Sequence, residues 1–146
     1  MNEQLSLGMD VAPAVELRSS ADLLQLLDEW GARGWLRELD RALVAFLVEL
    51  DGGSPPLALL AAALASHQLG HGHVCLDLAA TLASPDFALS LPPEGEDAER
   101  ATLLPSQVLA GTTLADWQAA LRASALVAVD GADEAAPLVL HGERLY

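Results

Sequence analysis

The chain has 146 residues, 52% of them hydrophobic, and a mean hydropathy of +0.32. That is enough apolar material for a cored domain, and it excludes a disordered chain, which needs low hydrophobicity joined to high charge. Net charge is −14, all seven basic residues are arginine and lysine is absent, which argues against strong nucleic-acid binding by this domain and excludes a lysine-bearing P-loop.

In chain order, residues 1 to 18 show no clear period, contain Gly8 and Pro13, and read as a loosely ordered arm; residues 19 to 146 read as a single domain. The amino terminus has neither the basic start nor the apolar core of an export signal, and the longest apolar stretch, Leu57 to Ala65, is well short of the roughly 18 residues of a membrane span. A cytoplasmic location without a membrane partner is expected. Ser19-Ser20-Ala21-Asp22 has the serine-then-acid spacing of a capping box, and Leu23, Leu26, Leu27 and Trp30 predict a first helix ending near Gly31 or Gly34. Leu39, Leu43, Phe46, Leu47 and Leu50 form the apolar set of a second helix, stopped by Asp51-Gly52-Gly53. Ser54-Pro55 opens a third helix, roughly Pro56 to Gln68, which is apolar on nearly every side and is expected to be the most buried.

After the turn Gly70-His71-Gly72, the run His73 to Leu78 contains an alternating stretch and predicts a short strand. Ser84-Pro85 opens another helical turn, and Leu91-Pro92-Pro93-Glu94-Gly95-Glu96-Asp97 reads as an acidic surface loop. Thr113-Leu114-Ala115-Asp116 is a second capping-box spacing, with Leu114, Trp117 and Leu121 on one face of a late helix. Leu126 to Val129, Leu138 to Leu140 and Arg144-Leu145-Tyr146 predict a small antiparallel sheet, with Asp130 to Glu134 between the first two strands and a tight turn at His141-Gly142-Glu143. The predicted class is α+β: mainly α, with a helical-bundle core and a small antiparallel β-ribbon in a winged-helix-like arrangement. No internal repeat is present.

His67, His71, His73 and Cys75 are four potential metal ligands, but they run through a helix end, a glycine turn and a strand and match no zinc spacing, so core or turn packing is expected. Cys75 is expected to be buried and unreactive. No G-x-S-x-G elbow is present, the carboxylate runs lie in loops, and Gly70-His71-Gly72 follows a helix and lacks the remaining glycine of a dinucleotide loop. No catalytic residue, cofactor or metal is therefore assigned. Trp30 and Trp117 fall on core faces, while Trp35, between Gly34 and Leu36 near a helix break, is the candidate for partial exposure and for a partner anchor.

The run Ala62-Ala63-Leu64-Ala65-Ser66-His67, followed by Gly72-His73-Val74-Cys75-Leu76-Asp77-Leu78, resembles the RecD amino-terminal domain family of the exodeoxyribonuclease V alpha subunit. Leu36-Arg37-Glu38-Leu39-Asp40 and Pro137-Leu138-Val139-Leu140-His141-Gly142-Glu143-Arg144-Leu145-Tyr146 agree in order, so the resemblance covers about residues 20 to 146. It implies a non-catalytic module that attaches a 5′-to-3′ helicase subunit to RecC. ATP and Mg are implied only for motor domains that would follow Tyr146. The stretch Glu94 to Arg100 matches no part of the family pattern. A free-standing winged-helix-like regulator reading DNA is the alternative, disfavoured by charge.

Overall fold

A helix with no polar face has to be covered on all sides, and α3 (Pro56–Gly70) is such a helix: Ala58 to Ala65 are all buried. Its alanines let α1 (Ser20–Ala32), α2 (Glu38–Leu50) and, later in the chain, the helix Leu114–Ala123 pack directly against it. The computed structural model describes residues 19–90, 104–129 and 136–146. The predicted arm at 1 to 18 and the two acidic loops, Leu91 to Asp97 and Asp130 to Glu134, lie outside the described residues.

Helix α1 begins where expected, with the Asp22 N–H donating to Ser19 Oγ at 3.2 Å, and it buries Leu23, Leu26, Leu27 and Trp30. Helix α2 has the expected extent but a different orientation. Of the five residues predicted as its apolar face, Leu47 is buried and Leu43 half-buried, but Leu39, Phe46 and Leu50 are 65%, 55% and 56% exposed, and the buried side is instead Asp40, Val44 and Leu47. At about 100° per residue the two sets lie roughly a quarter turn apart. The side carrying Asp40 faces inward because the polar partners of that carboxylate sit on α3.

Trp35 also departs from expectation, being 2% exposed rather than at the surface. Gly34, at φ +78, turns the chain back so that the Trp35 N–H donates to Trp30 O at 3.0 Å, and the indole closes the core beneath the Arg33 guanidinium.

The strands β1 (Leu76–Asp77), β2 (Val127–Val129), β3 (Leu138–His141) and β4 (Arg144–Leu145) form one sheet in the order β1-β4-β3-β2. The antiparallel β3–β4 ribbon turns at Gly142, at φ +64, as predicted. β2, however, pairs with β3 in parallel, so the sheet is mixed and departs from an antiparallel wing. Between β1 and β2 lie α4 (Leu78–Ala83), a 3-10 turn at Pro85–Ala88, α5 (Pro105–Val108) and α6 (Leu114–Ala123). Asp77 caps α4 by accepting the Ala80 N–H, and Asp86 holds α5 by accepting the N–H and Oγ–H of Ser106. Thr113 and Asp116 form the predicted capping box of α6, and the Trp117 indole N–H reaches Leu57 O at 3.0 Å from a fully buried ring. No described helix is long and apolar enough to cross a membrane.

Candidate functional site

Arg37 is the N-cap of α2, and Asp40, three residues on, turns back to accept its backbone N–H at 3.0 Å. That places a carboxylate with no solvent exposure against α3. There it also accepts from Arg37 Nε at 3.2 Å, Arg37 NH2 at 2.7 Å, Ser66 Oγ at 2.6 Å and His67 Nδ1 at 2.8 Å. Burial by itself would raise the Asp40 carboxyl, but the hydrogen bonds from Arg37, Ser66 and His67 together outweigh it and hold the group below its ordinary range. The same contact with Asp40 raises Arg37 further above its already high value. Arg37 NH2 also donates to Ser66 O at 2.9 Å, so one side chain joins the start of α2 to the end of α3.

His67 continues the network outward, its Nε2 lying 2.9 Å from Ser90 Oγ. His71, the C-cap of α3, shares that hydroxyl at 3.2 Å, and the two imidazoles meet edge to face with centroids 4.4 Å apart. The structure thus brings together two of the four ligand candidates, although the helix stops at Gly70. His73 and Cys75 lie apart, on a cleft they share with Asp77, Thr81, Ser84 and Phe87. Among the described residues, no group of three His, Cys, Asp or Glu side chains is arranged to hold a metal ion.

Asp40, His67 and Ser90 stand in the spatial order of an acid–base–nucleophile relay, which no sequence motif announced. Acyl transfer also needs donors aimed at a developing oxyanion. The Ser90 N–H is already committed to Trp35 O at 3.0 Å, and Ser90 Oγ is divided between two imidazoles. The arrangement is a clamp: it fastens α2, α3 and the end of the 3-10 turn to one another.

The residues that carry the family resemblance fall into two groups. Ser66 belongs to the clamp. Gly72, at φ +93, His73, Val74, Cys75 and Leu76 lead into β1, while Gly142, Arg144, Leu145 and Tyr146 form the closing ribbon; the two runs meet where Leu76 pairs with Leu145 and Asp77 with Arg144. Leu76 and Leu145 are buried, His73 and Arg144 are exposed, Val74 is 78% exposed, and Tyr146 reaches the surface. Cys75 is half-buried beside the cleft rather than enclosed, because β1 begins only at Leu76 and leaves the thiol on the turn before it.

Exposed large apolar groups are the surface feature that sequence reasoning missed: Leu39, Phe46 and Leu50 on α2, Leu69 at the end of α3, Val74 on the turn before β1, and Phe87 at the cleft. The helical periodicity of α2 held the signal, since it marks an apolar row without saying which way the row faces. Arg33, Arg37 and Arg41 are each engaged within the chain, with the Trp35 ring, Asp40 and Asp28 respectively.

The family model described as the N-terminal domain of RecBCD enzyme subunit RecD matches residues 32–146. No curated protein matches the chain.

Proposed function

The chain belongs to the family of N-terminal domains of RecD, a subunit of RecBCD, and from that premise we propose that it is a non-catalytic docking module attaching the RecD motor to a RecC-like subunit. In this reading it works in the cytoplasm, in recombinational repair of double-strand breaks and in DNA degradation. The 5′-to-3′ helicase activity, with its ATP and Mg, belongs to the motor domains of RecD. A chain without lysine has no P-loop of its own.

The observation that supports docking is the set of large apolar side chains left outside a well-filled core, above all Leu39, Phe46 and Leu50, on a chain of net charge −14. An apolar row on a soluble surface costs free energy unless another surface covers it. Phosphate is the wrong partner for that field, whereas a protein surface that is apolar at its centre and basic at its rim suits it. The test is co-purification of the chain with its cognate RecC-like subunit, where a stable complex is expected. Failure to associate in either order of addition would overturn the docking reading.

A further inference from the structure

Leu39, Leu43, Phe46 and Leu50 recur at i, i+4, i+7 and i+11 along α2 and extend over about 16 Å of helix at 1.5 Å per residue. Three of them are more than half exposed, and Leu43 is half-buried against the core. Helix α2 does not need Leu39, Phe46 and Leu50 to hold its place, because Val44 and Leu47 are buried, Leu43 packs against the core, Asp40 bonds to α3 and the Arg41–Asp28 ion pair at 2.6 Å ties it to α1. Solvent-facing positions of a surface helix are ordinarily polar. This spacing is the anchor pattern of an amphipathic helix lying in an apolar groove.

Charge selects the occupant. Glu38 and Glu49 are both exposed and fall on the same flank of the row, about a quarter turn from its centre. A second copy of this chain would bring another −14 against that flank, so self-association is electrostatically opposed. Resting on the docking reading above, we infer that α2 is the docking helix. It lies in an apolar groove of the RecC-like subunit, with Leu39, Phe46 and Leu50 inserted and with Lys or Arg of the groove's edge along Glu38 and Glu49.

The experiment measures binding of the whole chain to the cognate RecC-like subunit, with circular dichroism and sedimentation on each variant. Phe46→Glu should weaken binding about tenfold or more, as truncation of a central anchor does, while the helical spectrum stays unchanged. Phe46→Leu should bind nearly as the wild type does. Phe87→Glu, at the other prominent exposed ring, should leave binding as it was. Joint charge reversal, Glu38→Arg with Glu49→Arg, should weaken binding and flatten its salt dependence. Wild-type affinity in Phe46→Glu would overturn the inference and leave docking standing through another face. Loss of a self-associated species in Phe46→Glu would assign the row to a second copy and overturn it as well. No binding by the wild type would overturn the docking reading and this inference with it.

Discussion

Asp40 receives five hydrogen bonds because a carboxylate removed from water tolerates little less. Asp40→Ala would leave the buried ring of His67 and the Ser66 hydroxyl without their acceptor, while the Arg37 guanidinium, 39% exposed, turns to solvent and to Ser66 O, and a loss of about 1–3 kcal/mol is expected in urea unfolding. The carboxyl is held below its ordinary value in the folded state, so its contribution is complete above the unfolded-state value near 3.8 and is lost as pH falls through the folded-state value. An Asp40→Asn variant should therefore lose stability less steeply than the wild type on acidification below about pH 4. Equal slopes in that range would show that Asp40 does not titrate with unfolding. Nothing in the sequence marked this residue as buried. An acid three residues into a helix reads as a solvated first-turn group, and only its partners 26 and 27 residues later turn it inward.

Local chemistry made the helices legible, because caps and breakers act over a few residues. Ser19, Ser54-Pro55 and Thr113 mark starts that the structure keeps or shifts by a residue. The rotation of α2 was not legible because it depends on partners 26 and 27 residues away, the parallel sense of β2–β3 because pairing direction is not a local property, and α4, although Asp77 caps it locally, because the alternating run up to Leu78 reads as strand. The junction of α2 and α3 offers a test at this scale. A Cβ added at Gly70 would collide with the Arg37 guanidinium, which Asp40 and Ser66 O hold in place. Alanine gains up to about 1 kcal/mol over glycine within a helix, but forcing a packed group aside costs about 1–3 kcal/mol. Gly70→Ala should thus destabilise the wild type by about 1 kcal/mol and stabilise an Arg37→Ala variant, a reversal of sign that urea unfolding of the four proteins would measure. Additive effects would mean that Arg37 moves aside at no cost.

Across the whole sequence, 21 acidic residues stand against seven arginines, and among the described residues Arg33, Arg37 and Arg41 make contacts within the chain. A field of this sign acts differently on the two kinds of partner. Binding to DNA through phosphate contacts falls with salt by a log–log slope of about −0.9 per phosphate neutralised, and the cations that would produce such a slope are not clustered here. Titration of labelled duplex or single-stranded DNA should show no saturable binding at about 0.05–0.15 M salt, the range in which phosphate contacts are most evident. For a partner whose groove is rimmed by Lys or Arg, the same field attracts over a Debye length of about 10 Å at 0.1 M salt, and it acts on the approach more than on the finished contact. Raising salt should therefore slow association with the RecC-like subunit several-fold, as electrostatic steering requires, while dissociation, governed by the apolar row of α2, changes little. Stopped-flow association and dissociation rates across a salt series would measure both. A dissociation rate that rises steeply while association stays flat would place the charges inside the contact and the apolar groups outside it, the reverse of the arrangement argued from Leu39, Phe46, Leu50, Glu38 and Glu49.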